Sequence, residues 1–176
     1  MAVSMLLCGC SGGSPFGGTK PNYDSAYTVS AEIKCGSLEA AADITRNGTG
    51  SYIFSFSKPQ SLAGISVSLS DGEYTAALEN LSVTVDDCSA YCTLTDLIAE
   101  SIDSLAAVDS DSITHTEDAL TLTTRADGSR VVVTTAADGT LLTLKCPARS
   151  LSVNFSEQSE IKQEEPEEPL DIIIEN

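Results

Sequence analysis

Tyr52-Ile53-Phe54-Ser55-Phe56-Ser57-Lys58-Pro59 is the stretch that sets the reading of this chain. Tyr52, Phe54 and Phe56 alternate with Ile53, Ser55 and Ser57, the period-two pattern of a strand with one buried face. Lys58-Pro59 ends it, because proline has no N–H to give to a ladder. Toward the N-terminus, Tyr27, Val29, Ala31, Ile33 and Cys35 share one face against Thr28, Ser30, Glu32 and Lys34. Cys35-Gly36-Ser37 turns the chain, and Leu38 to Thr45 runs back to Asn47-Gly48, a strong hairpin turn pair. Toward the C-terminus, Ser61 to Gly64 makes a connection, and Ile65, Val67 and Leu69 then oppose Ser66, Ser68 and Ser70. After Asp71-Gly72 come Tyr74, Ala76 and Leu78; after Glu79-Asn80 come Leu81, Val83 and Val85.

One segment breaks the pattern. From Thr93 to about Val108, Leu94, Leu97, Ile98, Ile102 and Leu105 recur at helical spacing. Thr93 followed by Asp96 resembles a capping box, with Asp in place of Glu. Sixteen residues predict a helix of about 24 Å at 1.5 Å per residue. Strands resume at Ile113–Glu117, Leu120–Thr124, Arg130–Thr135 and Leu141–Cys146, divided by turn signals such as Asp127-Gly128 and Asp138-Gly139. Pro147 interrupts, and Leu151, Val153 and Phe155 form a last strand.

A meander of eight to ten short strands with one helix has few ways to hide its apolar face. The expected fold class is mainly β (α+β): a curved antiparallel sheet, or half-barrel, with the amphipathic helix packed in its concave face. This order resembles the LolA-like lipoprotein-carrier superfamily (LolA, LolB and the LppX-type lipoproteins), in a compact form like that of small Gram-positive lipoproteins. The resemblance covers about residues 25–156. It is carried by Phe54-Ser-Phe56-Ser-Lys58-Pro59-Gln-Ser-Leu62-Ala-Gly64 with Asp71-Gly72, and by Pro147 before Leu151-Ser-Val153-Asn-Phe155. It implies a non-catalytic carrier or binding protein for a lipid, a lipoprotein acyl chain or another amphiphile. Two features depart from the carriers. Trp is absent, and no arginine is placed to help close the lid, since Arg46, Arg125, Arg130 and Arg149 all read as turn residues.

The expected ligand-binding cavity wall is Tyr27, Val29, Ile33, Tyr52, Phe54, Phe56, Ile65, Val67 and Leu69 from the sheet, with Leu97, Ile98 and Ile102 from the helix. An apolar concavity of this kind suits an acyl chain. The alternative is that the same residues simply pack as core, leaving a structural or protein-interaction lipoprotein with no ligand.

The ends of the chain carry a different message. Leu7-Cys8-Gly9-Cys10 reads as the close of a bacterial lipoprotein signal, with Cys10 as the lipidation site, and Ser11 to Gly18 as a flexible spacer. No Lys or Arg precedes Cys10 and only nine residues do. A signal peptide needs a basic n-region and a longer apolar stretch, so the natural start is expected upstream. No run approaches the roughly 20 apolar residues of a membrane-spanning helix. The expected organisation is a leader and spacer at 1–24, a β domain at 25–156 and an acidic, disordered tail at 157–176. The expected location is the extracytoplasmic face of the bacterial cell membrane, reached through the acyl anchor.

A net charge of −17 argues against a nucleic-acid partner, which is bound by neutralising phosphates with Lys and Arg. Cys35, Cys88, Cys92 and Cys146 allow three disulfide pairings in an exported domain. A disulfide or plain buried thiols are expected ahead of metal binding. His115 is the chain's one histidine, too few for a two-histidine metal site. No nucleophile elbow, phosphate loop or His-Glu-x-x-His helix is present. No enzyme activity, cofactor or metal is therefore expected, and any protein partner is left open.

Overall fold

The computed structural model describes residues 21–161 except 71, 87–92, 109–111 and 117. Its strands are β1 (Tyr27–Cys35), β2 (Leu38–Gly48), β3 (Ser51–Lys58), β4 (Ile65–Ser70), β5 (Glu73–Leu78) and β6 (Leu81–Asp86) before the helix α1 (Thr93–Asp103). After it come β7 (Ile113–His115), β8 (Ala119–Ala126), β9 (Ser129–Ala136), β10 (Leu141–Cys146) and β11 (Leu151–Glu160). All eleven strands form one antiparallel sheet in the order β6-β5-β4-β3-β2-β1-β11-β10-β9-β8-β7. The sheet is curved and unclosed, a half-barrel with α1 on its concave side, as the alternation predicts. Every neighbour pair but one is a local hairpin or short connection; β1 beside β11 joins the two halves of the chain.

Register carries the apolar pattern from strand to strand. Ala40, Ile33, Val153, Leu144, Val133, Leu122 and Ile113 lie side by side on seven consecutive strands. A parallel row runs the other way through Val29, Ile44, Phe54, Val67, Ala76 and Val83. Since directly paired residues share a face, both rows project onto one side of the sheet. The opposite side is a polar ladder, with hydroxyl and carboxylate contacts at Thr28–Thr45 (3.2 Å), Ser30–Asp43 (2.7 Å) and Thr75–Thr84 (2.8 Å).

Leu97, Ile98, Ile102 and Leu105 point into the concave face and are buried with Val29, Ile33, Ile44, Phe54, Leu122, Val133, Leu144 and Val153. The α-helix is shorter than its apolar spacing predicts, because Ser104–Ala107 tightens into a 3-10 turn. Ser101 hydrogen-bonds back to the carbonyl of Leu97, and Ser104 Oγ donates to that of Ser101 at 2.8 Å. Serine back-bonding of this kind competes for the carbonyls a regular helix uses. β2 runs on to Gly48 and β11 to Glu160, each past its expected end, whereas β7 stops at His115.

Coverage of the concave face is uneven. Under α1 it is sealed, but on the β4–β6 wing Leu78 is 42% exposed, Val85 42%, Val83 64% and Leu81 74%. The two regions should respond oppositely to truncation. Ile98→Ala should cost about 2–5 kcal/mol, whereas Leu81→Ser should stay within about 0.5 kcal/mol. Urea-unfolding midpoints of the two variants against the parent check this.

Candidate functional site

The helix is fixed to the sheet by a buried polar cluster. Its centre is Arg46, near the end of β2, whose side chain is fully buried. The guanidinium donates from Nη2 to Asp103 Oδ1 at 3.1 Å, from Nε to Tyr52 Oη at 3.0 Å, from Nη1 to the Ser25 carbonyl at 2.9 Å and from Nη2 to Thr49 Oγ1 at 3.2 Å. Tyr52 Oη in turn donates to Asp103 Oδ1 at 2.6 Å, and the Gly50 N–H donates to Asp103 Oδ2 at 2.8 Å. Gly50 holds a positive φ of 71°, a conformation glycine adopts freely, and in it its amide reaches the carboxylate. An acidic residue in the last turn of a helix opposes the helix dipole; here the arginine compensates it.

Arg46 is the residue the sequence reading misplaces. Read as a turn, it is instead strand backbone paired with Tyr27 and Tyr52. The signal was present: Ala40, Ala42 and Ile44 all point inward, and two residues on, so does Arg46. Arg125 and Arg130 are cross-strand partners beside the Asp127-Gly128 turn, and Arg149 closes the 3-10 turn Pro147–Arg149 and pairs with Asp127.

Burial raises the phenols of Tyr52 and Tyr27 far above the ordinary tyrosine range, and for Tyr52 the Asp103 carboxylate adds to the shift. Tyr27 Oη is buried with no hydrogen-bond partner. Tyr23, also buried, reaches Thr135 Oγ1 at 3.4 Å.

Beside this cluster a cleft of about 420 Å³ opens between α1, the facing ends of β4 and β5, and the β8–β9 turn. Leu69, Tyr74 and Leu97 form its apolar lining, and Asp96, Glu100, Asp103 and Asp127 its polar one. Tyr74 Oη hydrogen-bonds Asp96, a second tie between sheet and helix. Leu69 and Tyr74 are partners across β4 and β5, and Val85 faces Tyr74 from β6. The cleft therefore continues onto the exposed apolar stripe of the wing.

Of the expected wall, Tyr27, Val29, Ile33, Tyr52, Phe54, Phe56, Ile98 and Ile102 are brought together as packed core. Leu69 and Leu97 line the open cleft, Val67 is half-buried against the core, and Ile65 lies on a shallow surface with Leu78, Leu81 and Val83. Cys35 and Cys146 carry free thiols. Both pair in register with Leu151 from opposite sides, so two strand spacings of roughly 4.8 Å part them, beyond disulfide reach. Cys88 and Cys92 lie outside the described residues, as does Cys10. His115 is exposed on β7. Among the described residues no cluster fit to hold a metal ion is found, and no helix is long and apolar enough to cross a membrane.

No family model matches the sequence, and no curated protein matches it. Solved structures do. An uncharacterized conserved protein from Thermus thermophilus superposes with a TM-score of 0.52 at 14% identity, over 80% of this chain and 82% of that one. A LolA superfamily protein from Nitrosomonas europaea gives 0.42 at 11% identity, over 81% and 88%. A DUF1329 family protein from Desulfovibrio piger gives 0.42 at 14%, over 78% and 86%. The half-barrel with one helix on its concave side is the fold class expected from the sequence, and the Thermus thermophilus structure shares that fold.

Two outcomes follow from the cluster. Arg46→Met should cost about 3–5 kcal/mol, because Asp103 is left charged and unpaired beneath the helix. Arg46→Met with Asp103→Leu should be less destabilised than that single variant, and denaturant titration of both reads the difference. The buried phenols set an alkaline limit. Their folded pKa values lie above the unfolded value of about 10, so the stability they contribute is complete below pH 10 and is lost as pH rises beyond it. Absorbance at 295 nm should show Tyr27 and Tyr52 ionising only together with unfolding, followed in parallel by circular dichroism.

Proposed function

We propose that this chain is a non-catalytic, lipid-anchored protein of the bacterial cell envelope that binds a lipid or other amphiphile in the opening between α1 and the β4–β6 wing. The observation that carries this reading is the unequal coverage of one continuous apolar face. The row Val29–Ile44–Phe54–Val67–Ala76–Val83 passes from full burial under the helix to 64% exposure at Val83. Contiguous exposed apolar surface on a soluble domain marks an interaction site, and this one leads into a concave cleft of a size that suits small ligands. The ligand chain lies along Leu69, Val67, Val83 and Leu81, with its polar end at the mouth.

Attachment fits the same geometry. The described chain enters the sheet at Tyr27, on the transverse row that carries Arg46, Tyr52, Leu69 and Tyr74. A lipidated Cys10 would sit eleven residues before Pro21, a spacer with a reach of at most about 36–40 Å. That tether suspends the cleft's end of the sheet close to the bilayer.

A second reading is favoured by the packing beneath α1, where Val29, Phe54 and Ile98 have no exposed surface: an envelope lipoprotein whose core is filled and whose wing meets a protein. Native mass spectrometry of protein purified without detergent separates the two. A co-purifying lipid, together with displacement of a bound fluorescent fatty acid that weakens about tenfold in Val83→Asp, supports amphiphile binding. Absence of lipid and no saturable uptake of fluorescent or unlabelled amphiphiles would leave the protein-interaction reading.

A further inference from the structure

The cleft's charge is one-sided, and its apolar floor is not. Asp96, Glu100 and Asp103 recur at helical spacing on the side of α1 that lines the cleft, Asp96 against Tyr74 of β5 and Glu100 against Asp127 of the β8–β9 turn. None of the lining residues is basic. Arg46 compensates Asp103 from the buried side and Arg149 pairs with Asp127. Asp96 and Glu100 have no cation within ion-pair distance among the described residues. Like charges four residues apart destabilise a helix, a small cost that Asp96 offsets in part by standing in the first turn, where the helix dipole favours a carboxylate. Each carboxylate is nonetheless held in place: Asp96 accepts from Tyr74 Oη, and Glu100 Oε2 accepts from the Asp127 N–H at 2.8 Å.

The apolar stripe is an independent observation. From Leu69 and Tyr74 at the mouth it continues through Val85 and Val83 to Leu81 and Leu78, all on the concave side. An occupant matching both parts has an alkyl body and a positively charged end. Resting on the amphiphile-binding reading above, we infer that the cleft selects amphiphiles with a cationic, amine-type head, seated between Asp96 and Glu100 while the chain lies on the β4–β6 wing. An anionic head would meet uncompensated carboxylates in a partly enclosed site, where like-charge contact is costly.

The test is calorimetric titration of the full chain, below micelle concentrations, with three twelve-carbon probes: dodecylamine, dodecyl maltoside and dodecyl sulfate. The expected order is amine tightest, maltoside weaker and sulfate weakest. Glu100→Gln and Asp96→Asn keep the acceptor oxygens, so each should weaken the amine about two- to fivefold and the maltoside by less than the amine. Raising salt should narrow the gap between amine and maltoside. Equal affinity for all three probes, or an amine affinity indifferent to both variants, overturns the head-group inference while amphiphile binding stands. No saturable binding of any probe overturns both. Tighter binding of the sulfate reverses the inference outright.

Discussion

A curved sheet must have its apolar face covered, and this chain provides one short helix to do it. Eleven strands about 4.8 Å apart measure roughly 48 Å along the curve, whereas the eleven residues of α1 extend about 16 Å at 1.5 Å each. Curvature brings the central and β8–β11 strands toward the helix and lets Leu97, Ile98, Ile102 and Leu105 reach them. It cannot bring every strand. The outer part of the β4–β6 wing keeps the same inward-facing pattern but leaves Leu78, Leu81, Val83 and Val85 exposed. The open apolar trough thus follows from the ratio of sheet to helix as well as from any one side chain.

That mismatch explains the buried arginine. A helix packed through one apolar stripe against a concave wall can roll or slide, because dispersion and burial have little directionality. Arg46, Tyr52 and the Gly50 amide converge on one carboxylate, Asp103, and hydrogen bonds fix both rotation and depth. Tyr74 to Asp96 adds a second point near the other end of α1. Replacing the Arg46 group by packed hydrocarbon would cost little stability in principle. Its contribution is a defined helix position, and therefore a defined cleft beside it.

The sheet was legible because period two is a strong signal and register preserves it: Phe54 beside Val67 beside Ala76 follows from each strand's own alternation and its turn. The helix was legible from Leu94, Leu97, Ile98, Ile102 and Leu105. The polar cluster was not, for two reasons. Arg46 stands one residue before Asn47-Gly48, and that turn pair outweighed the inward parity of Ala42 and Ile44. Tyr27 and Tyr52 read as apolar wall because alternation reports which face a residue occupies but not what its hydroxyl meets. The extent of coverage was also hidden, since Ile65, Val67 and Leu69 carry the same pattern as Val29 and Phe54 and differ only in distance from α1.

The uncovered wing raises a problem that the charge answers. β6 is a sheet edge carrying Leu81, Val83 and Val85 exposed, with no Pro or Lys along it. Such an edge is a template for pairing with another copy. The other edge, β7, is only three residues long, which blunts it. β6 is six residues long and gains no such protection from its length. What opposes edge-to-edge association is the whole-molecule charge of −17, which repels like copies yet attracts a cationic partner. The same excess of carboxylates that repels a second wing would, on the reading proposed above, also favour a cationic occupant, so both effects trace to a single property of the sequence.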